Sequence, residues 1–204
     1  MTYNRLLLFV SLLVSVPQSA LADDPSVFEP RQMGSSAVLT FVESCQRTVE
    51  KSGMERVTAW HHCACLADRA RQEHLARGER WLARAAEILV RYVDSCARHA
   101  GVQPANSFGT GAAASLFARK ELGSASVSAA QLVCMERTED TAYSISWRIQ
   151  MCSCITDWSR VLYKRVGQGK FLQATLTAMQ SGEQWPALMA KGEACAAYAD
   201  RTAR

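Results

Sequence analysis

Apolar residues recur at three- and four-residue intervals along most of this chain, and strict alternation is scarce. That pattern predicts helices rather than strands. Val38, Phe41, Val42, Cys45 and Val49 form a first stripe. Ser35 or Ser36 is a suitable N-cap for it, and Gly53 breaks it. A second helix is expected from about Glu55 to Arg77, with Val57, Trp60, Ala64 and Ala67 on one side. Gly78 then stands where a C-terminal cap belongs. A third helix is expected from about Arg80 to His99, with Trp81, Leu82, Ala85, Leu89, Tyr92 and Cys96 as its stripe.

The plan then recurs. Ala129 to Glu139 reads as a first helix, and Ala142 to Val166 as a second, with Gly167 at its end. Phe171, Leu172, Thr175, Leu176 and Met179 indicate a short added helix. Pro186 suits the first turn of a last helix that runs through Cys195. Between the two sets, Gly101 to Thr110 has linker composition, and Ala112 to Leu122 is rich in helix formers.

The cysteines show that this recurrence is a repeat. Cys45, Cys63, Cys65 and Cys96 are matched by Cys134, Cys152, Cys154 and Cys195, and these are all eight in the chain. A shift of eighty-nine residues lays Cys45 to Gly78 on Cys134 to Gly167 without a gap. It also carries Glu50 onto Glu139, Asp68 onto Asp157 and Arg71 onto Arg160. Fixed spacing of this kind marks a duplicated unit. The fold class expected is all-α, with two related disulfide-stapled helical lobes of about three helices each and one added helix in the second. The organisation read from the sequence is a signal peptide over 1–22, an N-terminal extension over 23–34, and a first four-cysteine repeat over 35–101. A linker that is in part helical follows over 102–126, and a second repeat over 127–204.

Helical geometry also limits how the cysteines pair. Residues two apart on a helix point about 200° apart, so Cys63 cannot bond Cys65. Cys45 lies eight residues before Gly53 and Cys63 ten residues after it. The two therefore come level in an antiparallel hairpin. This favours Cys45–Cys63 with Cys65–Cys96, and likewise Cys134–Cys152 with Cys154–Cys195. Exchanging partners within each C-x-C is the alternative, one residue of register away.

The N-terminus agrees with oxidising chemistry. Met1 to Arg5 is a short basic start, Leu6 to Val16 an apolar run, and Ala20-Leu21-Ala22 a small-residue cleavage site before Asp23. An eleven-residue helix rises about 16 Å, too little to span about 30 Å of hydrocarbon. The expectation is export to a periplasm or the extracellular space, with no stable membrane span after signal removal. Even cysteine numbers in exported chains generally form structural disulfides.

Composition narrows function by exclusion. The formal net charge is +4, and it falls to +3 when Arg5 leaves with the signal peptide. Such mild basicity in an exported chain does not call for nucleic acid. The many arginines of the first repeat are interleaved with acids, a pattern expected of a solvated helix face. Asp68 with Arg71 and Asp157 with Arg160 are spaced as same-face pairs, worth a few tenths of a kcal/mol on a surface. No G-x-S-x-G, H-E-x-x-H or phosphate-cradling glycine loop is present. No catalytic residue is identified and no cofactor is expected.

One segment invites metal or redox chemistry. His61-His62-Cys63-Ala64-Cys65 combines imidazoles with sulfur, and His61 and His62 are its candidate ligands. The second repeat carries Gln150 and Met151 at those positions. The reading adopted is a solvent-facing histidine pair beside a disulfide. His74 and His99 stand isolated in the sequence. The function expected is therefore non-catalytic binding of another protein or an envelope component. The alternative is a periplasmic metal-binding or redox protein using His61, His62 and the C-x-C pairs. A secreted hydrolase is a third reading.

Overall fold

The computed structural model describes residues 32–101, 121–181 and 186–203. The signal peptide, most of the N-terminal extension, and most of the linker with its Ala112 to Leu122 helix lie outside the described residues. Within them every regular element is helical. In chain order these are α1 (Ser35–Lys51), α2 (Arg56–Arg77), a 3₁₀ segment (Gly78–Arg84), α3 (Ala85–Val90) and α4 (Val93–Gly101). The second repeat supplies α5 (Ser124–Arg137), α6 (Ile145–Val166), α7 (Gln168–Ser181) and α8 (Pro186–Thr202).

The punctuation acts largely as its residue types dictate. The Glu55 carboxylate caps α2 by accepting from the backbone N–H groups of Val57 and Thr58, both at 3.0 Å. Ser144 caps α6 through the Trp147 N–H at 3.2 Å. Gly78 and Gly167 end α2 and α6 at φ of +58° and +80°, backbone conformations that a side chain would strain.

Several boundaries differ from the sequence reading, among them the start of α6, which is Ile145 and not Ala142. The residue before α1 is Gly34, and Ser35 is already helical. The helix α5 starts at Ser124, inside the span read as linker, and not at Ala129. The expected Arg80 to His99 helix is three pieces. Gly78–Arg84 is 3₁₀, and within it Trp81 is buried in the core. A second break follows α3, where the Arg91 and Tyr92 amides bond three residues back to Ile88 and Leu89. Neither break has a local glycine or proline to announce it beyond Gly78.

The four disulfides close as the hairpin argument favours: Cys45–Cys63, Cys65–Cys96, Cys134–Cys152 and Cys154–Cys195. Their Cα separations of 5.5–5.7 Å are normal for such bonds. No described cysteine is free. Among the described residues the first repeat holds most of the apolar core. Val38, Val42, Leu66, Trp81 and Leu89 belong to it, joined by Val127 from α5. Where the first repeat has Val42 and Ala64, the second has a buried hydrogen-bonded pair, Gln131 Nε2 to Ser153 Oγ at 2.6 Å. The copies pack on one another, α1 against α5 and α6, and α2 against α5. Among the described residues no helix is long and apolar enough to cross a membrane. Four disulfides befit an oxidising compartment.

Candidate functional site

The two Asp-x-x-Arg pairs are not on the surface. Asp68 and Arg71 on α2, and Asp157 and Arg160 on α6, are all buried. Each pair grips the start of the first helix of the other repeat. Oδ1 of Asp157 accepts from the Ser35 backbone N–H at 2.8 Å and from its hydroxyl at 2.5 Å. Oδ1 of Asp68 accepts from the Ser124 N–H at 2.8 Å and its hydroxyl at 2.6 Å. The arginines complete the grip. Arg160 Nη1 donates to the Met33 carbonyl at 2.8 Å, and Arg71 Nη1 donates to the Leu122 carbonyl at 2.9 Å. Each arginine is also 3.2 Å from its own aspartate.

The physical reason is the unpaired amides at a helix start. The first N–H groups of α1 and α5 have no intrahelical acceptor. Neither Gly34 nor Gly123 has a side chain to cap them. A carboxylate from the opposite repeat fills that role, and negative charge there is favoured by the helix dipole. The matched residues obey the eighty-nine-residue shift, which therefore extends upstream to Met33-Gly34-Ser35 and Leu122-Gly123-Ser124. The shared Gly-Ser was visible in the sequence and carries the signal that the surface reading of these pairs missed.

Glu121 joins the two clamps. Its carboxylate takes Arg71 Nη2 on one side, and Arg160 Nη2 at 2.6 Å and Nε at 3.1 Å on the other. The equivalent position in the first repeat is Gln32, so this bridge is made once. Burial pushes the Glu121 carboxyl up, but the two guanidinium groups outweigh it and hold the carboxyl below its usual range. Burial and the neighbouring Arg160 push the Arg71 guanidinium down, opposed by Glu121 and Asp68. Three carboxylates thus hold two arginines. The arrangement is a fastener, with its charges turned on one another and away from solvent.

The histidines are buried as well, which corrects the solvent-facing reading. His61 is 5 % and His62 is 2 % exposed. Burial lowers the basicity of both rings. The nearby His99 lowers His61 further, and a hydrogen bond to the Cys96 backbone partly restores His62. His99 is thus not isolated, and neither is His74, whose Nδ1 accepts from Trp81 Nε1 at 3.2 Å. Among the described residues no three His, Cys, Asp or Glu side chains are grouped to hold a metal ion. Sulfur in a disulfide is not the thiolate a metal takes.

One expected outcome follows for His61 and His62. The variant H61Q/H62M, which copies the second repeat, retains the stability of the parent at pH 7.5. A depressed histidine contributes stability above its unfolded value of about 6.5 and loses it as pH falls through the folded value. The variant is therefore more acid-resistant than the parent below about pH 6.5, read by urea melts at stepped pH. Equal acid sensitivity would contradict the burial argument. In the same samples, stoichiometric zinc or copper binding lost in the variant would favour the metal alternative.

A different asymmetry lies on the surface. Leu132 and Val133 on α5, Tyr143 before α6 and Ile145 at its start are exposed, by 37 %, 48 %, 54 % and 63 %. The matched residues of the first repeat are Glu43, Ser44, Met54 and Arg56. Tyr143 stacks on Trp147, with ring centroids 3.9 Å apart. Trp147 in turn donates to Asp200 on α8 at 2.7 Å. No family model matches this chain, and no curated protein or solved structure matches it.

Proposed function

We propose that this is an exported, non-catalytic helical protein that binds another protein or an envelope component, and that it does so through the α5–α6 hairpin. The observation that carries this is the difference between copies. The same cysteine framework and the same clamps recur, yet four exposed apolar side chains occupy one hairpin where its counterpart carries Glu43, Ser44, Met54 and Arg56. Exposed apolar side chains scattered singly need no explanation, but a concentration on one element marks contact surfaces. The four disulfides and the buried clamps then serve as the rigid mount for that hairpin. Metal binding or redox work by His61, His62 and the C-x-C pairs is the second reading, and nothing in the geometry favours it.

The test is site-specific photo-cross-linking in the native compartment. A photoreactive residue at Val133 or Tyr143 is expected to capture a discrete partner. The same residue at Glu43 or Ser44 should capture none, and L132S/V133S should reduce capture from Tyr143 without altering thermal stability. Equal capture from both hairpins, or none from either, would remove the proposed surface.

A further inference from the structure

We propose that the first repeat carries an acid-released latch, in which protonation of His74 frees Trp81 and opens the Gly78–Arg84 segment while the second repeat stays closed. This goes beyond the binding reading and does not depend on which partner is bound.

The latch spans the Gly78 turn. His74 is in the last turn of α2, and Trp81 is in the 3₁₀ segment that follows. Both side chains are buried. The indole N–H can only donate, so the His74 Nδ1 that receives it must be unprotonated. A proton taken from solvent onto Nδ1 turns that acceptor into a donor. Two N–H groups then face each other in a buried site, and the one side-chain hydrogen bond seen for the Trp81 indole is lost. Staying buried would leave both donors unsatisfied, so opening to water is the relief.

Two features confine the opening. Upstream, α2 is stapled to α1 by Cys45–Cys63. Downstream, Cys65–Cys96 ties α4 back to α2. The segment between Gly78 and α4 is therefore tied at both ends, and Ile88 and Leu89 keep its α3 portion in the core, so the opening is confined to Gly78–Arg84. The second repeat has the same turn without the switch. Its counterpart of His74 is Tyr163, which meets Phe171 edge-on at 5.3 Å. That contact has no group titrating between pH 5 and 8.

Burial sets the sign, against the surrounding charges. On its own helix His74 has Arg71 and the Glu73–Arg77 pair, 2.9 Å apart, and the 3₁₀ segment brings Glu79, Arg80 and Arg84. Glu87 comes from α3, Glu121 precedes α5, and Asp94, Arg98 and His99 lie on α4. The charged residues of α1 are Glu43, Arg47, Glu50 and Lys51. Burial lowers the basicity of His74, and among these charges Glu79 is the one that opposes it. The net depression means the latch is closed at neutral pH and opens as pH falls below about 6.5.

Hydrogen exchange tests this on the full-length oxidised protein. Corrected for the chemical exchange rate, protection of peptides covering 78–84 should fall at least tenfold between pH 7.5 and 5.0. Peptides covering 167–174 should change less than twofold. In H74Y, which copies the second repeat, the fall should shrink below twofold. Should H74Y not fold, E79Q alters an exposed side chain and should move the opening midpoint to lower pH. No fall in the parent protein, an equal fall in both repeats, an undiminished fall in H74Y, or a midpoint that E79Q leaves unmoved or raises would overturn the latch.

Discussion

Asp157→Ala is expected to destabilise the oxidised protein by about 3–5 kcal/mol, the cost typical of breaking a buried ion pair from one side. Asp157 and Arg160 are each 1 % exposed, so neither water nor salt can take over. The substitution removes the acceptor for the Ser35 N–H and hydroxyl and one counter-charge of Arg160. It leaves an amide at a helix start and a guanidinium short of a partner, both out of solvent. Asp68→Ala should behave alike, since it does the same to Ser124 and Arg71. Urea melts measure both. The discriminating measurement is the cycle of S35A with D157A. A contact across 122 residues should show coupling of about 0.5–3 kcal/mol. Additive effects would mean that the clamp does not hold the repeats together. Glu121 adds a pH signature. Its depressed carboxyl contributes stability at neutral pH that is lost as pH falls below the usual glutamate range. E121Q should therefore be less stable than the parent at pH 7, with the difference closing in acid.

The second large effect concerns the longer staple of each repeat. C154A/C195A removes a bond across 41 residues, and C65A/C96A one across 31. Chain entropy alone makes the two nearly equal, at about 4 kcal/mol each. The folded state separates them. In the first repeat, Trp81, Ile88 and Leu89 bring the chain between α2 and α4 into the main core. In the second, α8 meets α6 through Cys195, buried Tyr198 and Ala199, and the Trp147–Asp200 hydrogen bond. Loss of Cys154–Cys195 should therefore release α8 locally, while loss of Cys65–Cys96 lowers stability and leaves α4 docked. Hydrogen exchange of 191–203 against 93–101 distinguishes the outcomes. Equal release of both helices would count against the stated difference in packing.

Much of this protein was legible in one dimension because its constraints are local or periodic. Helical spacing, the glycines after α2 and α6, and the seventeen- and one-residue cysteine gaps act through neighbours a turn away. The pairing of Cys45 with Cys63 is favoured by their distance to the Gly53 turn, and the structure selects it over the exchanged register. Even the upstream Gly-Ser match was present, although its meaning was not.

What sequence alone determined is the helical class, the recurring cysteine spacing and a disulfide pairing narrowed to two registers, since each depends on the pitch of a helix and the reach of a hairpin; the structure chose the register. What only the tertiary structure decided is which polar residues are inside. An aspartate three residues before an arginine looks the same on a wet face as under another helix, and His61-His62 reads alike whether exposed or enclosed. The difference lies in what packs on top, and for the two aspartates that comes from segments 56 and 122 residues away in the chain. The α1 and α5 starts lack capping side chains of their own, so they are completed by carboxylates from the opposite repeat. Trp81 likewise is inside because the core it enters is built largely by other helices.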